Sequence, residues 1–367
     1  MLEERIAATI PLSCGGGAEL DIEPVTFRAV EFAEIAGWAG DEHEIAFAAL
    51  LKSCGKSANP TPACAAALAL GDSVNRQAAR SFFEAHYSPH EVEGYSSSGF
   101  VTGYYEPEVR GARIRGGAFQ FPVYHRPDDL VSLVPDTYRA RFNEQLTAMR
   151  RDGNEFVPYY TREEIEAGAL EGQDLELLYL DDPVELFFMQ VQGSGLVRLS
   201  DGTTTRLSYA GKNGYPYTSI GKLLVERGEL VREAASMDTI KAWLRADPER
   251  GEKLMQENRS YIFFRELWAH ERGAGPIGAE GVALTPGRSL AIDASYHALG
   301  TPIFVAAPGL TDKDGRSFQR LMIAQDVGSA ISGPERGDIF FGSGDAAGAL
   351  AGTTRQDAKF FILLPRE

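Results

Sequence analysis

Apolar side chains recur at helical spacing over the first quarter of the chain, from Glu31 to about Tyr87. The runs Ile45–Leu51, Ala66–Leu70 and Ala78–Ala85 place apolar residues three or four positions apart, which is the spacing of one helix face. Three helices are therefore predicted in this segment.

The pattern changes to short strand-like runs after the serines that precede Gly99. Strands are predicted at Phe100–Tyr105, Phe121–Tyr124, Leu175–Leu180, Val184–Gln192 and Leu196–Leu199, and an Asp201-Gly202 turn leads into a strand at Thr203–Tyr209. Helical spacing returns between Ser219 and Gln256, with helices near Ile220 and at Met237–Arg245. The last predicted strands are Tyr261–Phe264, Leu290–Ile292, Pro302–Ala306, Arg320–Gln325, Asp338–Phe341 and Lys359–Leu364.

These elements predict a mainly β protein with flanking helices. Its 367 residues exceed what one hydrophobic core usually organises, which favours two domains. The change of pattern places a β-rich insert at residues 108–255. Residues 1–107 and 256–367 would build the other domain together.

The charge balance excludes one class of partner. The chain has 36 basic and 52 acidic residues, a net charge of −16, which repels nucleic acid phosphates. No apolar run is long enough for a transmembrane helix. Ile6–Cys14 has the length of a short signal core, but Glu3 and Glu4 replace its basic head, so an ordinary N-terminal tail is favoured and a lipid anchor at Cys14 stays open.

Cys54 and Cys64 flank a Gly/Pro-containing stretch between two predicted helices. This is the context of a small loop closed by a disulfide, and an oxidising compartment would follow. Two reduced, buried thiols are the alternative, because spacing alone does not establish a bridge.

Several motif classes are missing from the sequence. The six histidines form no His-Glu-x-x-His pattern and the three cysteines form no C-x-x-C pair. No G-x-S-x-G elbow and no phosphate-binding G-x-x-x-x-G-K-[ST] loop occurs either. Neither a metal nor a cofactor is therefore expected.

Three carboxylates remain as candidates for chemistry. Asp326 ends one predicted strand, Asp338 begins the next, and Asp345 is predicted to lie in a glycine loop just beyond that strand. Functional side chains concentrate at strand ends and tight turns, although a turn Asp more often caps backbone amides. A desolvated Asp can hold a proton and donate it to a glycosidic oxygen.

Two segments have the composition of a saccharide-binding wall. One contains Thr102, Gly103 and Tyr104, and the other contains Gln190, Gln192, Gly193 and Ser194. Aromatic faces stack on sugar rings, amides and hydroxyls bind sugar hydroxyls, and glycines let the backbone approach. Such residues are also common in β-sheets, so composition alone leaves both interpretations open.

Together these segments resemble the membrane-bound lytic murein transglycosylase A (MltA) family. The matching pieces are Thr102–Pro107, Gln190–Gly195, Asn258–Phe264, Leu284–Asp293, Gly300–Phe304, Asp326–Ile331 and Gly337–Gly342, in order over roughly residues 95–365. The resemblance implies a double-psi β-barrel made from both chain ends, a second β domain inserted in it, and a groove between them that holds the glycan.

The same resemblance implies the activity. One aspartate would cleave the β-1,4 bond between N-acetylmuramic acid and N-acetylglucosamine as acid and then base, giving 1,6-anhydromuramyl products. By motif this residue is Asp338, with Asp326 assisting, although one extra residue around Pro334–Arg336 leaves Asp345 a minor candidate. A monomer that binds peptidoglycan glycan strands in the periplasm or at the outer membrane is expected.

Two other functions stay open at this point. Related barrels grip polysaccharide without cleaving it, which would make the chain a binding module. A muramidase that uses both Asp326 and Asp338 with water would instead leave reducing ends.

Overall fold

The computed structural model describes residues 5–6, 25–94, 99–134, 136–139, 141–142, 145–267, 275–311, 315–328 and 330–366. Cys14 lies outside these ranges. The chain forms two compact units. The barrel unit comprises Met1–Tyr104, Ile277–Gly342 and Thr353–Glu367, and the insert unit comprises Tyr105–Pro276 and Ser343–Gly352. The domain boundaries predicted at residues 108 and 255 stay a prediction.

Besides two 3-10 turns at Phe32–Glu34 and Trp38–Gly40, the described residues of the N-terminal part form three α-helices and four strands. They are β1 (Arg5–Ile6), β2 (Thr26–Ala29), α1 (His43–Lys56), α2 (Pro62–Leu70), α3 (Arg76–His86), β3 (Tyr87–Glu93) and β4 (Gly99–Glu106). The three helices predicted between Glu31 and Tyr87 are confirmed.

The middle of the chain alternates short strands with helices. Its elements are β5 (Glu108–Ala112), β6 (Phe121–Tyr124), β7 (Leu130–Val131), α4 (Asp136–Arg139), β8 (Met149–Asp152), β9 (Glu155–Val157), α5 (Arg162–Glu164), β10 (Glu176–Leu180), α6 (Pro183–Gln192), β11 (Ser194–Leu199), β12 (Thr204–Lys212), α7 (Ile220–Glu226), α8 (Met237–Ala246), α9 (Pro248–Gln256) and β13 (Ile262–Glu266).

The C-terminal part is again mostly strand. It contains β14 (Ser289–Ile292), β15 (Pro302–Thr311), β16 (Ser317–Val327), β17 (Arg336–Ser343), α10 (Asp345–Thr353) and β18 (Arg355–Pro365). Asp345 begins helix α10 and does not lie in a loop. The Ala-rich run that follows it favours a helix, and Gly344 before it adopts a positive φ of 80°.

Six strands of the barrel unit close on themselves in the order β4, β18, β15, β16, β14, β17, and β4 pairs with both β17 and β18. The pair β14–β16 is parallel. Val101, Leu290, Val305, Ile339 and Phe360 belong to one buried cluster that fills the interior. The predicted fold class, mainly β with flanking helices and a barrel built from both chain ends, is confirmed.

The helices α1 to α3 cover part of the outside of this barrel. Phe47 and Phe83 of the helices cluster with Phe304, Leu321 and Phe361 of the strands. Because strand neighbours alternate between faces, Phe304 points outward while Ile303 and Val305 point inward.

A disulfide joins the two helices predicted to carry it. Cys54 on α1 and Cys64 on α2 are bonded, with their Cα atoms 5.1 Å apart. The predicted bridge is therefore confirmed, and it closes the short loop between α1 and α2.

A buried ion pair fastens the segment before α1 to the barrel. Both terminal nitrogens of Arg288 donate to the Asp41 carboxylate at 2.8 Å, and the Leu321 N–H donates to Asp41 Oδ2 at 2.7 Å. Arg288 also donates to the Leu321 carbonyl. Arg288 immediately precedes β14 and Leu321 lies on β16, so the pair connects β14 with the strand that carries Asp326.

The insert unit is organised by a second six-stranded sheet, in the order β13-β12-β11-β5-β10-β6. A single bridge between His125 and Phe264 joins its two edges. Val109, Leu178, Val197 and Leu207 form its core.

The prediction of a strand at Val184–Gln192 is wrong, because this segment is helix α6. The Asp182 side chain accepts from the Val184 and Glu185 N–H groups, and Pro183 occupies the first turn, which together start a helix. The sequence of α6 resembles that of a buried strand, because two sides of this helix are apolar and its apolar residues are therefore nearly continuous. Met189 packs on the sheet core, whereas Phe187 packs with α7 to α9.

Candidate active site

Two carboxylates flank one small residue on the outer face of the barrel. Ala291 on β14 is the register partner of Asp326 on β16 and of Asp338 on β17. Their Cα atoms are therefore about two strand spacings apart, on the order of 10 Å. Leu290 and Ile292 point into the barrel, so Ala291 and both aspartates lie on the opposite face.

Asp338 is held in a site that favours its neutral form. The Thr102 hydroxyl donates to Asp338 Oδ1 at 2.7 Å. Asp338 retains some accessible surface, but protein atoms surround its carboxyl group closely. Burial, with repulsion from Asp326, raises the pKa of Asp338 to about 6, although the Thr102 hydrogen bond and the Arg336 charge oppose this rise.

Asp326 has a different set of neighbours. The Tyr104 hydroxyl donates to Asp326 Oδ2 at 2.9 Å, and the Ala279 and Val327 N–H groups donate to Oδ1 at 2.9 and 3.0 Å. Burial raises the pKa of Asp326, and these three donors oppose it. Asp326 thus accepts three hydrogen bonds, and a carboxylate accepts such bonds more strongly than a neutral carboxyl group does. We therefore regard Asp326 as the anionic member of the pair.

Tyr104 and Thr102 stand two residues apart on β4, on the same face as the aspartates. The Tyr104 ring packs against Phe340, with ring centroids 5.3 Å apart. Burial and the nearby Asp326 raise the pKa of Tyr104 well above its usual value, so its hydroxyl remains a donor. Gly103 lies between the two on the same strand. The structure thus brings Thr102 and Tyr104 together with Asp326 and Asp338.

The other predicted saccharide-binding residues lie in the insert unit. Gln190 is 3% exposed, and its amide is 3.5 Å from the Ile262 carbonyl. Gln192 ends α6, and its Oε1 accepts from the Tyr105 N–H at 3.0 Å. Gly193 terminates the helix with a left-handed φ of 76°, and the mostly buried Ser194 begins β11. Their contact with a glycan stays a prediction.

Sequence reasoning missed Arg336. Its Nη2 donates to Thr102 Oγ1 at 2.7 Å, and its Nη1 donates to the Gly337 carbonyl. Arg336 and Asp338 are two apart on β17, and strand alternation alone would have placed them on one face.

The described residues contain neither a cluster of metal-ligating side chains nor a helix that could span a membrane. Within those ranges, no group of three or more His, Cys, Asp or Glu side chains is arranged to hold a metal ion. None of the helices there combines the length and apolar character that a membrane crossing requires.

Comparison with known proteins decides the family. A model of the MltA specific insert domain matches residues 100–265, and a model of the 3D domain matches residues 288–364. The membrane-bound lytic murein transglycosylase A of Escherichia coli K12 is 34% identical over 281 residues, which are 74% of this chain and 68% of that protein. The chain belongs to the MltA family. The resemblance predicted from the sequence is confirmed.

Other MltA relatives agree. The transglycosylase of that name from Vibrio cholerae is 36% identical over 257 residues, 68% of this chain, and the match spans 61% of that protein's length. A crystal structure of the membrane-bound lytic murein transglycosylase of Agrobacterium tumefaciens has a TM-score of 0.85 at 38% identity, covering 93% of this chain and 98% of its own. The E. coli MltA structure with bound chitohexaose has a TM-score of 0.69 at 29% identity, covering 89% and 90%.

The raised pKa of Asp338 predicts a cost in stability at neutral pH. The pKa of an Asp in the unfolded chain is about 4. Between about pH 4 and 6, the folded protein therefore binds the Asp338 proton more tightly than the unfolded chain does. Its contribution to stability therefore falls as the pH rises through that window. Asp338→Asn removes the buried charge and should raise the free energy of unfolding at pH 8 by on the order of 1–3 kcal/mol.

Thermal and urea unfolding of both proteins at pH 8 and at pH 4 measure this effect. The advantage of Asp338→Asn should shrink toward zero at pH 4, where the wild-type carboxyl is also neutral. An equal difference at both pH values would show that Asp338 is not held protonated.

Proposed function

We propose that this chain is a peptidoglycan lytic transglycosylase, a lyase that cleaves the β-1,4 bond between N-acetylmuramic acid and N-acetylglucosamine. The observation that carries the proposal is the pair of aspartates on one barrel face. The pKa of Asp338 is raised to about 6 by burial, whereas Asp326 accepts three hydrogen bonds that favour its carboxylate form. Different environments for two neighbouring carboxyl groups mark acid and base assignments. Membership of the MltA family supports the same reaction.

Asp338 acts first as acid and then as base. It donates its proton to the glycosidic oxygen as the bond from that oxygen to the anomeric carbon of N-acetylmuramic acid breaks. The C6 hydroxyl of the same sugar then forms a bond to the anomeric carbon and gives its proton to the Asp338 carboxylate. One C–O bond forms, one breaks, and no water is consumed.

A single acid is enough because the substrate supplies its own nucleophile. The C6 hydroxyl is tethered to the ring that it attacks, so the entropic cost of bringing a nucleophile into place is already met. Asp326 is poorly suited to activate water. All three of its hydrogen bonds stabilise its carboxylate form, which makes that carboxylate a weaker base. Its negative charge instead favours the protonated form of Asp338 and stabilises the positive charge that develops on the sugar.

The substrate follows from the same family. E. coli MltA has been solved with chitohexaose, an oligomer of β-1,4-linked N-acetylglucosamine, and peptidoglycan strands contain the same linkage. We infer that Thr102 and Tyr104, whose hydroxyls are bound to the aspartates, shape the reaction site. Gln192 keeps its amide NH₂ for a sugar, since its oxygen accepts from the Tyr105 backbone. Peptidoglycan as substrate places the chain in the bacterial cell envelope.

Incubation with purified sacculi tests this proposal. A lytic transglycosylase releases soluble anhydromuropeptides, which are lighter by one water than the products of a muramidase. Release of such products supports the proposal. Cosedimentation without any product would show a binding module, and reducing muramic acid ends would show a two-carboxylate hydrolase; either result would overturn it.

A further inference from the structure

A directed chain of hydrogen bonds ends on Asp338. Arg336 Nη2 donates to Thr102 Oγ1 at 2.7 Å, and Thr102 Oγ1 donates to Asp338 Oδ1 at 2.7 Å. The proposed reaction uses the last of these residues and assigns no part to Arg336.

The donors and acceptors of Arg336 and Thr102 determine the direction of this chain of hydrogen bonds. A guanidinium has five N–H donors and no acceptor, and it stays protonated in proteins. The Thr102 hydroxyl has only one proton. When Arg336 donates to that oxygen, the hydroxyl proton is free to point only at its other partner, Asp338 Oδ1.

Without Arg336 the hydroxyl could rotate. A protonated Asp338 could then donate its own proton to Thr102 Oγ1, because a hydroxyl accepts as readily as it donates. In that arrangement the Asp338 proton would form a hydrogen bond to Thr102 and would not point toward the glycosidic oxygen. The arginine excludes this unproductive state.

We propose that Arg336 is a positioning residue that, through Thr102, keeps Oδ1 of Asp338 as an acceptor and so places the acidic proton on Oδ2. This inference rests on the proposed function, because it concerns which oxygen of the acid faces the substrate. Arg336 acts through Thr102 and touches no reacting atom.

Arg336 is itself held in place. Its Nη1 donates to the Gly337 carbonyl, its guanidinium lies over the Phe100 ring at 5.5 Å from the centroid, and its side chain is half-buried. The interactions at both ends of the guanidinium fix the nitrogen that faces Thr102.

The charge of Arg336 has a separate effect that must be distinguished. Among the described residues, the groups that act on Asp338 include Arg336 on its own strand, Thr102 and Tyr104 on β4, and Asp326 on β16. Loss of the Arg336 charge raises the pKa of Asp338, since a nearby cation favours the carboxylate. A rate measured at a single pH would combine this change in the Asp338 pKa with any change in which Asp338 oxygen carries the proton.

Full pH–rate profiles on sacculi separate the two effects. Arg336→Met should move the alkaline limb to higher pH and also lower the plateau rate about 10- to 100-fold, the range expected for a charge-assisted hydrogen bond. Thr102→Val should lower the plateau similarly, and Thr102→Ser, which keeps the hydroxyl, should restore it. The matched control is Arg355→Met, which removes an exposed arginine from β18 at the register position opposite Thr102 and should leave the profile unchanged.

A double-mutant cycle gives the decisive result. If Arg336 acts through the Thr102 hydroxyl, Arg336→Met should cause no further loss of plateau rate in the Thr102→Val background. Additive losses, or a wild-type plateau in Arg336→Met, would overturn the proposal.

A measurement without substrate distinguishes this proposal from the proposed function. In protein labelled with ¹³C at the Asp carboxyl carbons, the Asp338 signal, assigned from its loss in Asp338→Asn, should titrate at higher pH in Arg336→Met and in Thr102→Val than in wild type. If wild type fails to release anhydromuropeptides, the proposed function fails, while this titration still reports whether both residues act on Asp338. An unchanged titration in both variants would overturn the inference alone.

Discussion

Replacement of Asp338 by Asn should reduce the release of anhydromuropeptides from sacculi by about 100- to 10,000-fold, the range for loss of a general acid. Asn has nearly the same shape, and its side-chain oxygen can still accept from the Thr102 hydroxyl that now bonds Oδ1. It has no acidic proton to give to the glycosidic oxygen. The variant should stay folded, because it also removes a buried charge.

Asp345→Asn is the matched control. Asp345 is the other aspartate near β17, and it begins helix α10 in the insert unit. The same Asp-to-Asn change there should leave turnover within about twofold of wild type, as expected for substitution of an exposed side chain. Ordinary turnover by Asp338→Asn, or its loss in Asp345→Asn, would refute the assignment of the acid.

Replacement of Asp41 by Ala should lower the free energy of unfolding by about 3–5 kcal/mol, the cost of removing one partner of a buried ion pair. Arg288 is 2% exposed and would keep only the half-exposed Glu42 carboxylate, 3.9 Å away, as an ionic partner. The Leu321 N–H would also lose its acceptor. Urea unfolding at pH 7 measures the change, and because these bonds connect β14 and β16, murein cleavage should fall as well.

An exposed ion pair provides the comparison. Lys253 and Glu249 pair at 2.7 Å on α9, with side chains 71% and 80% exposed. Glu249→Ala should cost no more than about 1 kcal/mol, since solvent screens such pairs. Equal losses for the two variants would mean that the Asp41 carboxylate is not desolvated in the folded protein.

Local patterns in the sequence predicted most of the strands and the N-terminal helices, because alternation and helical spacing report which face is buried. They failed at α6, where both sides of a helix are apolar and the run reads as a buried strand. The Asp182-Pro183 start of that helix was the signal that could have corrected the prediction. Helix α10 was also missed, since Gly342 and Gly344 before it resemble a loop.

The site was predictable only in part. Asp326 and Asp338 stood out as strand-end carboxylates, but their common neighbour Ala291 follows from pairing between strands far apart in the chain. The contact between Thr102 and Arg336 likewise joins residues more than 230 positions apart. No local pattern contains such a contact, because the register of a closed barrel is set by all six strands at once.

The central claim is that a single acid, Asp338, cleaves the glycosidic bond while the sugar's own C6 hydroxyl takes the place of water. Digestion of purified sacculi in water enriched in ¹⁸O, followed by mass spectrometry of the muropeptides, tests it most directly. We predict muramic acid ends that are one water lighter than reducing ends and carry no ¹⁸O. Reducing ends with one ¹⁸O atom at the anomeric position would contradict it.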